Sequence, residues 1–514
     1  MKDELAACED GCCAASPRPF ILLISLLLLL TRLAVSSATP QDSPILYGTF
    51  LGAEAAEYGR AIATDPAGNI YVTGETLSVD FPALVDGRAP NHGIDVYVAK
   101  FNAVSGAADY ILWFNALTLF AEDVAYGLAV GPDGSAYVVG DTRSEDFCQL
   151  FGDAPGFDTT YNDGGDAFVL KIKPDGSGLD YCTFIGGAEA DIARAIAIDA
   201  DGNAYITGGT WSDADFPTTA NAYDTLHNGL RDAFVLKLDP TGTELLYATY
   251  LGGSGQEEGV AIAVGADRQV SITGWTFSAN FPVTPLAYDA THNGGADIFI
   301  ATLNSAGSDL GYATFLGGAA DDRPTGIAAD AAGHAYVTGY TASPAFPTTP
   351  GAFDELHDGP VDAFVAKLAA NGRALIYSTL LGGMAEDWSS GLSLDANGSV
   401  YLTGRTWSAD FPTTDDAFSA TLSGGRDGFI AWLNPAGTDL IYSSYIGGSD
   451  WDDSLAITHR DRHLTITGTT RSTDFPITAN AHDATLNGDY DIFVLQFTLP
   501  ASTTLYLPLL VNRE

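Results

Sequence analysis

The sequence predicts an all-β fold, a seven-bladed β-propeller with four antiparallel strands in each blade. Three observations predict it: glycine is abundant while charged residues are scarce, one short phrase recurs seven times, and each recurrence brings four strand-like stretches. The 514 residues include 57 glycines and only 17% charged residues, which favours turns and leaves few charged faces for long amphipathic helices. With 46% hydrophobic residues, the chain is too apolar for a disordered acidic tail and can bury a large core.

The recurring phrase is Tyr-x-Thr-Gly or a close variant of it. Its glycines lie 64 to 68 residues apart, at Gly74, Gly140, Gly208, Gly274, Gly339, Gly404 and Gly468. A regular period of this length is typical of repeat architectures, in which each unit buries its apolar faces against its neighbours.

The fifth repeat illustrates the four strands, which we term A to D. We expect strand A at 326–330, strand B at 335–339, strand C at 362–367 and strand D at 376–380. Turns rich in Asp, Asn, Gly and Pro join A to B and C to D, which is the chemistry of tight hairpins. A long loop joins B to C, so all four strands are antiparallel neighbours.

These short strands are apolar on both faces, so each four-stranded sheet needs another sheet on either side. A closed ring of seven satisfies every blade, whereas an open stack would need polar capping repeats that the sequence does not contain. We expect residues 46–51, which resemble a D strand, to close the ring beside the last C strand at 491–496. The tail around 505–508 is the alternative, although Pro508 would restrict it to a sheet edge.

The chain divides into four segments: a signal peptide at 1–38, a linker at 39–44, the propeller at 45–497 and a C-terminal tail at 498–514. The apolar run at 20–30 is too short to span a bilayer as a helix, and Ser36 and Ala38 suit the −3 and −1 positions of a cleavage site. A short uncleaved anchor is the alternative, because acidic residues outnumber basic ones ahead of the run. We expect a secreted or cell-envelope protein.

Cysteine usage fits a chain without a disulfide scaffold. Three of the five cysteines would leave with the leader, and only Cys148 and Cys182 would remain. A cysteine-based zinc site is therefore excluded. The two cysteines could pair in an oxidising compartment, but Cys182 lies in an apolar strand where buried free thiols are common, so we expect two free thiols.

The net charge of −43 limits the classes of partner. It would repel nucleic-acid phosphates and anionic lipid headgroups, so we expect neither nucleic acid nor membrane insertion of the mature chain. A carbohydrate or a protein remains open as the ligand, and we expect a monomer.

The recurring phrases resemble the SBBP repeat family of bacterial seven-bladed β-propellers. They are Tyr-x-Thr-x-Leu-Gly-Gly at 247–253, 312–318 and 377–383, Asp-Phe-Pro-Thr-Thr at 410–414, and Asp-Ala-Phe-Val-x-Lys from Asp166, Asp232 and Asp362. The resemblance spans about 45–497, and the A to B stretch is also similar to NHL-type repeats. It implies secreted or cell-envelope proteins with no common activity. The match is poorest at 111–115, where the Leu-Gly-Gly ending is missing, and at Cys148, which replaces a proline.

One acidic residue recurs just ahead of each strand A, and these residues are our candidate binding positions: Glu57, Asp123, Asp191, Glu257, Asp322, Asp387 and Asp452. They predict an acidic ring near the central channel, with neighbours on the order of 10 Å apart, about one Debye length. Each carboxylate could accept hydrogen bonds from its own loop. Alternatively, adjacent acids could recruit calcium through oxygen ligands, at Asp321 with Asp322 or at Asp452 with Asp453. No cofactor is certain, and calcium is the one that the sequence leaves open.

The long B to C and D to A loops share one face, where function is expected. The Phe of the recurring Asp-Phe-Pro phrase is expected to pack between blades. Five tryptophans in or beside this face could stack on a ligand or serve blade packing: Trp211, Trp275, Trp388, Trp407 and Trp451. No spaced catalytic motif is present, so our leading hypothesis is a non-enzymatic binding or scaffold module. The alternative is an extracellular glycan lyase or hydrolase that uses two carboxylates at the channel mouth.

Overall fold

A computed structural model describes residues 43–84, 93–116, 118 and 121–500. Within these residues the chain forms seven four-stranded antiparallel sheets, which confirms the predicted seven-bladed propeller. The proposed signal peptide, most of the linker and the tail beyond residue 500 lie outside the described residues. No helix in the described part of the chain is long and apolar enough to cross a membrane.

Blades 1 to 6 each take four consecutive strands of the chain in the order A, B, C, D, and blade 7 takes its D strand from the start of the chain. Blades 1 to 4 are β2–β5 (Glu57–Thr64, Ile70–Thr76, Asp95–Phe101, Ala108–Phe114), β6–β9 (Val124–Val130, Ala136–Thr142, Asp166–Ile172, Leu179–Ile185), β10–β13 (Asp191–Ile198, Ala204–Thr210, Asp232–Leu238, Leu245–Leu251) and β14–β17 (Glu257–Val264, Val270–Thr276, Asp297–Leu303, Leu310–Leu316). Blades 5 and 6 are β18–β21 (Asp322–Ala329, Ala335–Thr341, Asp362–Leu368, Leu375–Leu381) and β22–β25 (Asp387–Leu394, Val400–Thr406, Asp427–Leu433, Leu440–Ile446). Blade 7 comprises β26 (Asp452–Arg460), β27 (His463–Thr470), β28 (Asp491–Thr498) and β1 (Ile45–Leu51).

Ring closure occurs as predicted, because the first strand of the chain completes the last blade. Strand β1 runs antiparallel to β28, with Thr49 opposite Val494 and Leu51 opposite Ile492. Strand β5 also forms and pairs with β4, although its sequence departs from the repeat. Thr49 of the outer strand of blade 7 therefore lies 445 residues before its partner Val494 in the sequence. The first and last strands of the propeller belong to one sheet.

The A strands form the inner wall of the ring, where those of adjacent blades contact one another. The hydrophobic core lies between blades; one of its clusters joins Val139 and Val169 of blade 2 to Ile206 and Leu236 of blade 3. The phenylalanines of the Asp-Phe-Pro phrase are all buried in these layers, at Phe81, Phe216, Phe281, Phe346, Phe411 and Phe475. The long loops therefore lie on one face and are fixed to the core by these rings.

Our expectation of two free thiols is wrong. Cys148 and Cys182 form a disulfide, with their Cα atoms 5.4 Å apart, within the usual range for such bridges. Cys148 lies on a 3₁₀ turn, Phe147–Gln149, in the B to C loop of blade 2. Phe147 is buried against Phe168, which brings its neighbour Cys148 over strand β9 and next to Cys182.

A tyrosine on strand D of one blade packs against a hairpin glycine of the next blade. Tyr312 of blade 4, for example, covers Gly372 in the C to D turn of blade 5, and a Cβ on Gly372 would overlap the Tyr312 ring. The glycine has φ of +66°, a left-handed conformation that favours glycine. The same contact recurs round the ring, at Tyr47 with Gly106, Tyr110 with Gly176, Tyr181 with Gly242, Tyr247 with Gly307 and Tyr377 with Gly437.

We predict that Gly372→Ala destabilises the propeller far more than Gly351→Ala. Both glycines have positive φ, but Gly351 has no atom within 4 Å of its added Cβ. The left-handed backbone costs each variant about 1 to 2 kcal/mol, while overlap with Tyr312 should add about 1 to 3 kcal/mol to the first variant alone. Urea unfolding of both variants measures the difference, and equal losses would show that the tyrosine contact does not hold blades together.

Candidate binding site at the channel mouth

Every strand A carries a β-bulge near its start, where one extra residue faces strand B. A bulge bends the strand and re-aims a side chain. The bulged residues are Arg60, Tyr126, Arg194, Val260, Thr325, Ser390 and Leu455. All seven line a cavity of about 320 Å³, which therefore lies at the mouth of the central channel.

A second cavity of about 450 Å³ adjoins this mouth above blades 4 to 6. The two cavities share Val260, Thr325, Tyr340 and Trp388. Their volumes fall at the lower end of the roughly 300 to 1,000 Å³ that is usual for small-ligand pockets. We treat them as one cleft, the mouth cleft, which opens on the long-loop face.

Arginines and aromatic rings surround the mouth cleft in an arrangement that we call the collar. Its members are Tyr58, Arg60, Tyr126, Arg194, Trp211, Arg231, Trp275, Phe277, Arg323, Tyr340, Trp388, Arg405, Trp407, Arg426, Trp451, Arg471 and Tyr490. Seven of the 22 basic residues of the chain belong to it. The collar is thus locally rich in positive charge on a protein of net charge −43.

The collar is ordered by alternating stacks of guanidinium and ring. The Cζ atom of Arg231 in blade 3 lies 4.1 Å from the centroid of the Trp211 ring and 5.6 Å from that of the Trp275 ring in blade 4. The Cζ atom of Arg323 in blade 5 lies 4.2 Å from the centroid of the same Trp275 ring. Cation–π contacts of this kind fix the orientation of both groups.

A second stack continues through blades 6 and 7. The Cζ atom of Arg426 lies 4.9 Å from the centroid of the Trp407 ring and 5.0 Å from that of the Trp451 ring. The Cζ atom of Arg471 lies 5.7 Å from the centroid of the Trp451 ring. Trp451 is 42% exposed, so this part of the collar faces solvent.

Three carboxylates form ion pairs with five of the seven collar arginines. Arg60 Nε donates to Glu75 at 2.9 Å, and Glu258 pairs with both Arg194 and Arg231. Although burial opposes it, the charges of the two arginines hold the pKa of Glu258 below its ordinary value. Asp453 pairs with Arg426 at 2.7 Å and with Arg405 at 3.7 Å.

The remaining two arginines, Arg323 and Arg471, have no carboxylate within ion-pair distance among the described residues. Both guanidiniums lie over aromatic rings, Arg323 over Trp275 and Phe277 and Arg471 over Trp451 and Tyr490. Each guanidinium therefore keeps its hydrogen-bond donors available to an anion.

The seven predicted acidic residues lie behind the mouth, at the start of the A strands, and all have no exposed surface. In each blade at least one hydroxyl of a Thr-x-Ser pair at the end of strand B donates to the acid. Asp452, for example, accepts from Thr470 Oγ1 at 2.5 Å, Ser472 Oγ at 2.8 Å and the Gly448 amide at 2.8 Å. These hydrogen bonds connect strand A to strand B and to the loop that precedes strand A. A role of the seven acids in ligand binding stays a prediction.

Six of these acids also face a second carboxylate, the first residue of strand C in the preceding blade. Asp191 Oδ2 and Asp166 Oδ1 lie 2.6 and 2.8 Å from the place that a Cβ on Gly186 would occupy. Burial and then the Asp191 charge raise the pKa of Asp166 to about 7, and burial raises the pKa of Asp191 to about 6. The other pairs are Asp491 with Glu57, Asp232 with Glu257, Asp297 with Asp322, Asp362 with Asp387 and Asp427 with Asp452.

The four acidic residues predicted to bind calcium already accept hydrogen bonds or form ion pairs within the protein. Asp322 and Asp452 accept hydroxyl and amide hydrogen bonds, Asp321 accepts from the Ala296 amide at 2.9 Å, and Asp453 binds arginine. Over the described ranges, no three or more His, Cys, Asp or Glu side chains are grouped so that they could hold a metal ion. Calcium binding at these residues stays a prediction.

The family model for the SBBP beta-propeller repeat matches three stretches of this chain, at residues 47–82, 180–217 and 376–412. The chain carries SBBP β-propeller repeats. These stretches cover the D to A loop, the bulged strand A, strand B and the Phe-Pro loop in blades 1, 3 and 6. The acid, the bulge and the buried phenylalanine all lie within the unit that the family model matches.

Beyond the SBBP match, the chain is similar to the regulatory protein FlaEY of Caulobacter vibrioides, with 24% identity over 408 residues. The match covers 76% of this chain and 40% of that protein, so the chain spans less than half the length of this relative.

Two solved structures resemble the SBBP propeller at low identity. The Dos1 propeller is 8% identical, with 88% of this chain and 96% of that chain covered and a TM-score of 0.42. Quinohemoprotein alcohol dehydrogenase from Comamonas testosteroni is 10% identical, with 91% and 80% covered and a TM-score of 0.39.

We predict that the SBBP propeller loses stability as the pH rises from about 4 to about 7. Asp166 has a folded pKa of about 7 against 3.8 for a free side chain, so the folded protein binds the extra proton in this window and stability falls as that proton is lost. Calorimetry should give a higher melting temperature at pH 5 than at pH 8.

Asp166→Asn should make this fall smaller, because one pair no longer carries two charges at high pH. Asp213→Asn is the control, since Asp213 is an exposed loop residue of the neighbouring blade and its substitution should leave the pH dependence unchanged. A melting temperature that rises with pH, or an identical fall in both variants, would contradict the paired-carboxyl account.

Proposed function

We propose that the protein is an exported, non-enzymatic binding module that takes its ligand in the mouth cleft. The observation that carries this proposal is the chemistry of the seven bulged positions. They are equivalent in the backbone, yet they carry Arg, Tyr, Arg, Val, Thr, Ser and Leu, whereas the acid a few residues earlier is Asp or Glu in every blade. Residues that hold a ring together should repeat, and residues that recognise an asymmetric ligand should not.

The ion pairs of the mouth favour binding over catalysis, because they engage its carboxyl groups. A glycosidase of the usual kind needs two carboxyl groups, one of them protonated as a general acid. At the mouth, Glu75, Glu258 and Asp453 are each paired with arginine and act as counterions of the collar. The arginine charges hold the pKa of Glu258 below its ordinary value, whereas burial outweighs the arginines and raises the pKa of Glu75 and of Asp453.

Asp141 is the carboxyl that an enzyme would use, and it keeps the glycan-active alternative open. Burial raises its pKa to about 6, and its Oδ1 is buried without a hydrogen-bond partner in the described structure. If the protein instead cleaved the glycan that it binds, Asp141→Asn should abolish product release while binding persisted. Product release by the wild type would contradict the non-enzymatic proposal.

The disulfide supports export, because such bridges form and persist in oxidising compartments. It agrees with the leader-like apolar run at 20–30. We therefore propose a secreted or cell-envelope location with cleavage after Ala38, which N-terminal sequencing of the exported protein tests.

We predict that Trp388→Ala removes most ligand binding. Trp388 lines both cavities of the mouth cleft and stacks on Tyr340 with ring centroids 4.0 Å apart. Truncating an aromatic residue at the centre of a binding site costs about 2 kcal/mol or more, roughly a 30-fold loss of affinity. A glycan and peptide array probed with wild type and variant, followed by titration of each hit, measures the change.

Trp432→Ala is the matched control for this array. Trp432 belongs to the same blade but lies near the other end of strand C, against Tyr401, so its loss should leave binding intact. No hit with the wild type, or hits that Trp388→Ala retains at full affinity, would contradict a binding site at the mouth.

A further inference from the structure

We infer that the mouth cleft recognises a sugar that carries one carboxylate, a uronate, with Arg323 as the residue that binds the carboxylate. This inference rests on the proposed binding function and names the class of ligand. The charge of the cleft, the orientation of Arg323 and the groups that surround it support this ligand class.

Arg323 is the collar arginine best placed to bind an anion in the cleft. It lines the 450 Å³ cavity, is partly exposed and has no ion pair among the described residues. Its guanidinium is held 4.2 Å from the Trp275 ring and 5.3 Å from the Phe277 ring. Because the stacking orients the planar donor fork before a ligand arrives, little rotamer freedom remains to be lost on bidentate binding of a carboxylate.

The surroundings of Arg323 suit a sugar ring. Trp275, Tyr340 and Trp388 present aromatic surface to the same cavity, and the electron-rich faces of such rings attract the partly positive C–H groups of a pyranose. The exposed carboxylate of Asp321 lines the cavity too. It accepts one hydrogen bond from the Ala296 amide and has further lone pairs for sugar hydroxyls.

A uronate offers a carboxylate, hydroxyl donors and an apolar face in one rigid ring. A peptide that ends in a carboxylate would have to fix several backbone torsions to present the same groups, at about 1 to 2 kcal/mol for each residue. The net charge of −43 also disfavours a polyanion, so we expect one uronate at the end of a glycan to occupy the cleft.

The test is calorimetric titration of the purified protein with a disaccharide of one terminal galacturonate and one galactose, and with its neutral counterpart, a galactose disaccharide. We expect the uronate to bind at least tenfold more tightly, and we expect this preference to shrink as salt is raised. Arg323→Gln should bring the ratio of the two affinities to about one, and this ratio is the readout because any loss of the stack with Trp275 affects both sugars. Arg373→Gln is the matched control, because Arg373 is an exposed arginine of the same blade in the C to D turn on the opposite face, and it should change neither affinity.

Four results would overturn the inference. Equal affinity for both sugars, with loss of both in Trp388→Ala, would disprove carboxylate recognition and leave the binding function standing. A uronate preference that survives in Arg323→Gln would show that another group binds the carboxylate. Binding of neither sugar would exclude this ligand class, and the array with Trp388→Ala would then decide on the binding function independently. A peptide that binds in a Trp388-dependent manner would replace the sugar as the ligand.

Discussion

Every blade of this protein must bury two apolar faces, and this constraint determines the rest of the structure. A four-stranded sheet with apolar residues on both sides is stable only between two others, and seven such sheets meet that need by closing on themselves. Closure in turn needs one sheet built from both ends of the ring, which β1 and β28 provide. The tyrosine and glycine contacts between successive blades then fix the spacing at the hairpin side of six of the seven junctions.

The same closure creates the candidate site without further machinery. Seven A strands around one axis carry seven bulges at the same height, so the side chains at those positions converge on the channel mouth. Buried acids bonded to the Thr-x-Ser pairs hold the start of each A strand, and the bulged residue beyond is free to vary. The buried acids therefore repeat in every blade and serve the structure, whereas the bulged residues differ between blades and set the chemistry of the mouth. The collar adds arginines and tryptophans from different blades around these bulged residues.

The fold could be predicted from the sequence because its signals are local and repeated. The strand chemistry of each unit and the likeness of residues 46–51 to other D strands were enough to predict blade number and closure. The disulfide was missed because pairing depends on how the Phe147 turn lies over β9, which no local pattern reports.

The five tryptophans of the collar were named from the sequence, but its arginines were missed for a related reason. Its arginines lie between positions 60 and 471, and only the bulges and blade junctions bring them together. A signal was nevertheless present, since Trp211 and Trp407 occupy the same position in their repeats, as do Arg231 and Arg426.

The central claim is that the bulged residues serve recognition and not the fold, and blocking one of them tests it most directly. Thr325 lines both cavities and is partly exposed, so the indole of Thr325→Trp should fill open space at the mouth. The measurement is the affinity for a ligand found on the array, taken on protein whose melting temperature is recorded in the same preparation. The account predicts an unchanged melting temperature with binding lost. Full binding by a variant that melts like the wild type would contradict it.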